Sequence, residues 1–192
     1  MRSTAAIAWM LVTGVAVSTA PAATWTSQQI SATQTPTNWD EDDGRVDGTD
    51  VVWESTSANF MPEDVFHYDI NTGTRTNLTG DANTDWDPSL DGGTAAWARQ
   101  QPSGGDFEIF TAALGGGGGA AITTNTVNDV QPDISGTNVA WLRDTAGTGS
   151  YDVVVHNGAT ETVVTTAGGC GHVRVSGNHV VWMQGATGGR DI

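Results

Sequence analysis

The side chains able to do acid–base, nucleophilic or metal chemistry in this sequence are four histidines, one cysteine and 22 carboxylates. His67, His156, His172 and His179 share no common constellation, no Gly-x-Ser-x-Gly elbow occurs, and Cys170 has no motif context for a nucleophile. The Asp40–Asp43 run lacks the spacing of a calcium loop and reads as a solvated acidic segment. Gly115–Gly119 has neither a following lysine nor a helix to open, so it is a loop tip and not a phosphate cradle. What remains is a register. Glu41, Asp85, Asp129 and Cys170 follow one another at intervals of 44, 44 and 41 residues, and so do Asp43, Asp87, Gln131 and His172. If both sets converge, they form an oxygen-rich ring beside an imidazole and a thiol. Carboxylates suit Ca2+, and Asp43 and Asp87 with His172 suit Zn2+ or Mn2+. The competing reading is that these aspartates make local turn hydrogen bonds.

The elements that must position this register are visible as repeats. Four segments align, Val46–Trp53, Leu90–Trp97, Ile134–Trp141 and Val175–Trp182, each with a Gly-containing turn followed by small apolar residues and a tryptophan. Eleven residues after each of the first three tryptophans an acidic residue opens an apolar run, at Asp64, Glu108 and Asp152. The fourth copy reaches Ile192 at the same stage. Repeats with a period near 42 residues indicate a stacked or radial architecture.

Within each copy the pattern predicts four strands: a before the turn, b ending in the tryptophan, c on the acidic–apolar run, and d after a polar hairpin. Strand d is expected at 74–78, 120–123 and 161–165. Apolar runs without alternation, such as Val51–Trp53, imply burial on both faces. Short strands of this kind, buried on both sides, fit the blades of a β-propeller. The repeat tryptophans are expected in the core. Trp39 and Trp86, in the connections from d to the next a, are candidates for an exposed aromatic platform or for packing over a blade. The lysine-free connections carry the candidate ligand residues Glu41, Asp85 and Asp129.

The run Asn77–Gly92 resembles the TolB-type, WD40-like (PD40-type) propeller repeat. It has a Leu-Thr strand end, an Asp and a Pro before Ser-x-Asp-Gly, then an apolar strand b and an acidic strand c. Gln131–Gly136 is similar, whereas Gly44 and Val173 stand where the pattern has proline. The resemblance implies an all-β propeller of four-stranded antiparallel blades over residues 23–192, with repeats at about 37–81, 82–125, 126–167 and an incomplete 168–192. Proteins of this kind are interaction platforms in the periplasm or on cell surfaces, or accessory domains of peptidases and lyases. Residues 25–31 read as a lone strand d, able to close a four-bladed ring with the last copy. The expectation preferred here is a longer parent with more blades.

Composition narrows the partners. There are 22 acidic against 7 basic residues, a net charge of −15, and no lysine. Nucleic-acid binding requires clustered cations and is excluded as an expectation. Met1 and Arg2, the apolar stretch Ala5–Val17 and Ala20–Ala22 form a secretory signal peptide over residues 1–22. No other segment is apolar enough to span a membrane, and a single cysteine permits no internal disulfide. The resulting expectation is an exported, non-catalytic propeller binding a protein or glycan at its top face, without a cofactor unless the acidic ring holds Ca2+. The alternative is the N-terminal propeller of a longer secreted hydrolase or lyase.

Overall fold

The computed structural model describes residues 41–56, 62–101, 104–116, 119–186 and 189–191, with the backbone alone described for Glu41 and from residue 186 onward. All lie in one compact unit, Thr33–Ile192. The signal peptide, the strand expected at 25–31 and Trp39 fall outside the described residues.

Every regular element among the described residues is a strand. The first sheet runs β1 (Glu41–Asp47), β2 (Asp50–Thr56), β3 (Glu63–Asp69), β4 (Thr74–Asn77) in spatial as in chain order. The second repeats it with β5 (Asp85–Asp91), β6 (Thr94–Gln100), β7 (Phe107–Ala113) and β8 (Ala120–Ala121). The third holds β9 (Asp129–Ser135), β10 (Asn138–Arg143), β11 (Tyr151–His156), β12 (Glu161–Ser176), β13 (His179–Ala186) and β14 (Gly189–Asp191). All pairings are antiparallel between sequence neighbours.

Repeats 3 and 4 share one sheet because β12 serves first as strand d of one and then as strand a of the next. It changes partner through an irregularity between Val153 and Tyr151 in the register with β11. Gly168 and Gly169, both at φ +66°, allow that turn within a continuous strand. The hairpin leading into β4 turns at Gly73 (φ +68°), as the Asn71–Gly73 segment predicts.

Two-sided burial is explicit in β6. Ala95 and Trp97 pack with Val52, Val65 and Leu78 of the first repeat. Ala96 and Ala98, pointing the other way, pack with Ile134, Val139, Trp141 and Val154 of the third. A third cluster joins Ala140, Leu142 and Val153 to Cys170, Val173 and Val175. The core therefore lies between sheets, and each sheet lacks a stable face on its own. Trp53, Trp97 and Trp141 are buried, while Trp182 is half-buried.

Polar staples repeat with the same period. The Gly92 N–H donates to Asp47 Oδ2 (2.9 Å), the Gly136 N–H to Asp91 Oδ2 (2.6 Å), and the Gly177 N–H to Ser135 Oγ (3.0 Å). The Asp-Gly and Ser-Gly turns read from the sequence thus also bind each repeat to the next. Within repeats 1 and 2, Thr79 and Thr123 accept from the Val65 and Ile109 N–H groups, at 3.0 and 2.8 Å, which locks strand c to the chain leaving strand d.

Candidate functional site

The four a strands lie side by side: β1 against β5, β5 against β9 and β9 against β12. Each carries an irregularity in its pairing with strand b, between Asp42 and Arg45, Trp86 and Ser89, Val130 and Asp133, and Gly171 and Arg174. At each bulge one residue is left-handed: Asp43 (φ 49°), Asp87 (52°), Gln131 (52°) and His172 (51°). These are the only non-glycine residues with positive φ among those described, against 14 glycines. A β-bulge re-aims a side chain. Aspartate and histidine tolerate this conformation better than most residues, and glutamine gains nothing from it.

All four side chains line one cavity of about 120 Å³, together with Arg45, Arg174 and Pro132. The register set containing Asp43, Asp87 and His172 is therefore brought together. Two guanidinium groups stand among these residues, a feature the repeat alignment did not single out. Arg45 and Arg174 lie two residues beyond their bulges, where repeats 2 and 3 have Ser89 and Asp133. Among the described residues no group of three or more His, Cys, Asp and Glu side chains is arranged to hold a metal ion.

The hydrogen bonding of this mouth is uneven. The Asp87 N–H donates to Glu54 Oε2 at 2.8 Å, and the Asp87 carboxylate is itself tied to the backbone at Gln131. Asp133 Oδ2 accepts from the Val175 N–H at 2.7 Å. Arg45 donates to the Gly44 carbonyl (3.2 Å) and lies 3.9 Å from Asp43, and Arg174 donates to the Val173 carbonyl (2.7 Å). Burial pushes the carboxyl groups of Asp87 and Asp133 above the usual range, with Asp43 adding to the rise at Asp87 and the two arginines opposing it at both. Burial also raises Glu54 to about 7.

The other register set is placed differently. Asp85 and Asp129 are fully buried at the starts of β5 and β9, and each meets an arginine of strand b. Arg99 donates to both Asp85 oxygens (2.7 and 3.1 Å), and Arg143 to both Asp129 oxygens (2.7 and 3.0 Å). Trp141 Nε1–H adds a third bond to Asp129 (2.7 Å), and Glu161 closes on Arg143. Arg99 also stands over Phe110, its guanidinium carbon 4.8 Å from the ring centre. In repeat 4, Cys170 takes the aspartate's place and donates to Gln184 Oε1 (3.3 Å). The side chain of Glu41 lies outside the described residues. The arginines were missed in the sequence, although Trp97-Ala98-Arg99 and Trp141-Leu142-Arg143 repeat the same spacing. Trp86 is half-buried and stacked on Phe107, with ring centres 4.6 Å apart.

A second cavity of about 290 Å³ lies between repeats 3 and 4. Val130, Leu142, Tyr151 and Met183 supply its apolar wall, with Cys170 and three glycines, Gly169, Gly171 and Gly185. Gln131 and His172 border both cavities. Position 171 is glycine where repeats 2 and 3 carry Trp86 and Val130.

A scan against protein-family models finds no match, and a search of curated protein sequences finds none either. Solved structures do match. A protein described as TolB from Agrobacterium tumefaciens aligns at a TM-score of 0.51 and 18% identity, over 62% of this chain and 46% of that one. Porphyromonas gingivalis dipeptidyl peptidase 4 gives 0.53 and 13%, over 70% and 21%. A prolyl endopeptidase gives 0.56 and 11%, over 81% and 27%. The chain spans less than half the length of each. The likeness is one of fold: antiparallel blades of the TolB-like propeller type.

Proposed function

We propose that this chain is an exported, non-catalytic binding module, and that the mouth formed by the four a strands receives a protein ligand. The observation that carries the reading is the repeated left-handed bulge. Four strands adopt a conformation suited to glycine, yet place Asp43, Asp87, Gln131 and His172 there and turn them toward one cavity. Strained positions that keep a polar side chain are where function is to be sought. Two cations, two carboxylates, an amide and an imidazole suit the mixed charges and amides of a polypeptide. The stacking of Trp86 on Phe107 leaves less of an open aromatic platform of the kind sugars favour. Export rests on residues 1–22 of the sequence, and the placement is periplasmic or at the cell surface.

The test is to probe peptide and glycan arrays with the 192-residue chain and with Asp87→Ala, after matching their thermal melts. Peptide signals lost in the variant support the reading. Glycan signals alone, or peptide signals indifferent to the substitution, sink it. A hydrolase or lyase domain encoded downstream of Ile192 would instead make the chain the propeller of a longer enzyme.

A further inference from the structure

Two guanidiniums, Arg45 and Arg174, stand at the mouth among the carboxylates of Asp43, Asp87 and Asp133. Asp87 and Asp133 already accept backbone N–H groups. A guanidinium carries five N–H donors, and the hydrogen bonds recorded for Arg45 and Arg174 run only to the neighbouring carbonyls of Gly44 and Val173. Their remaining N–H groups can serve a ligand that brings acceptors, and a planar carboxylate matches the guanidinium fork. The space is right for one: a water takes about 30 Å³, so the cavity of about 120 Å³ admits a carboxylate but no large group.

The neighbouring cavity differs in kind. It measures about 290 Å³ and is walled by Val130, Leu142, Tyr151 and Met183. Its lining is about equally polar and apolar, and since about 150 Å³ suffices for a benzene-sized guest, it has room for an aromatic or branched side chain against the apolar part. Gln131 and His172 belong to both walls, which places the polar and apolar spaces next to each other.

We propose that the two cavities form one bipartite site for a carboxylate joined to an apolar group, as in the C-terminal residue of a peptide. Arg45 and Arg174 hold the carboxylate, and the cavity walled by Val130, Leu142, Tyr151 and Met183 receives the side chain. The inference rests on the protein-binding reading above and adds the chemistry of the recognised end.

Titration calorimetry with the 192-residue chain tests it, using acetyl-Gly-Gly-Phe as free acid and as amide, acetyl-Gly-Gly-Ala as free acid, and N-acetyl-phenylalanine. The free acid ending in Phe is expected to bind saturably, with the amide and the Ala-ended peptide each at least tenfold weaker. Arg174→Ala is expected to weaken the acid tenfold and leave the amide unchanged. The Phe-to-Ala comparison on the unaltered chain reads the apolar part of the site directly. N-acetyl-phenylalanine binding as tightly as the peptide identifies small acids as the source, and weaker binding identifies peptide ends; either supports the bipartite chemistry. Equal affinity for acid and amide, or no saturable binding at millimolar concentration, overturns it. If peptide arrays still give Asp87-dependent signals in that case, the mouth remains a binding site and only the terminal-residue assignment falls.

Discussion

Arg99 and Arg143 sit two residues beyond the buried tryptophans of repeats 2 and 3, each clasping an aspartate of zero exposure through two hydrogen bonds. Arg45 and Arg174 sit on β1 and β12, and their recorded hydrogen bonds reach only the preceding carbonyls. The residue types are the same and the strands are adjacent, but the two pairs have opposite consequences. A charge taken from water must be matched inside the fold or its desolvation goes uncompensated. A charge left at a cavity keeps its capacity for something that arrives later. The first pair therefore belongs to stability and the second to recognition, a division that substitution can break.

The largest effect is expected at Arg143. Removing it as Arg143→Ala leaves Asp129 fully buried with only the Trp141 indole N–H and the Asn125 amide as recorded partners. Breaking a buried pair by deleting one partner costs about 3–5 kcal/mol, and loss of the guanidinium over the Trp141 ring adds to it. Denaturant unfolding should show a loss in that range. A loss below about 1 kcal/mol would mean that the pair is as dispensable as a surface bridge, and the contrast with the mouth would collapse.

A smaller effect, readable against pH, is expected at Glu108 on β7. Its side chain is 2% exposed, one carboxylate oxygen has no recorded hydrogen-bond partner, and burial raises the group to about 7 despite a bond from Thr123. Because the folded pKa lies above the ordinary 4.5, the native state holds the proton more tightly than the unfolded chain. Stability then falls as pH rises from about 4.5 to 7 and stays lowered above that. Glu108→Gln removes the titration and keeps an acceptor for Thr123. The variant should gain about 2 kcal/mol over the parent at pH 8 and almost nothing at pH 4. Equal gains at both values would show that Glu108 titrates alike in the folded and unfolded chain, and the burial argument would fail.

The division between the two regions was only partly legible in the sequence. Turns and tryptophans recur because every sheet needs the same corner and the same packing, so Asp47, Asp91 and Trp97 announce the repeat. The alignment likewise brought Asp43, Asp87 and His172 to equivalent places, and the structure puts them on one cavity. Their left-handed bulge has no residue signature, since Asp, Gln and His occupy it in turn where a glycine would have marked it. Asp85 and Asp129 looked like ring members because their partners lie 14 residues away on another strand. The Trp-x-Arg spacing that gives them away occurs in two copies only, and repeat 4 substitutes Cys170 and Gln184. The space beside the mouth has no motif of its own, because Val130, Leu142, Tyr151 and Met183 reach it from four different strands.

The smallest effect is the most pointed one. Arg174→Ala and Arg45→Ala remove guanidiniums of the same charge as Arg143, but the carboxylates they face, Asp43, Asp87 and Asp133, are only partly buried. Arg174 is exposed and Arg45 is 37% exposed. Exposed charges contribute about 0–1 kcal/mol, and Arg45 gains little from Asp43 at 3.9 Å. Each variant should unfold within about 0.5 kcal/mol of the parent in the same denaturant assay that shows the loss at Arg143. A destabilisation of about 2 kcal/mol or more at either position would mean that the arginines neutralise Asp87 and Asp133 as part of the fold. The mouth would then be a structural charge network like those of repeats 2 and 3, with no donors left over for a ligand. Stability unchanged, together with loss of carboxylate binding, is the outcome that separates the two uses of arginine in one chain.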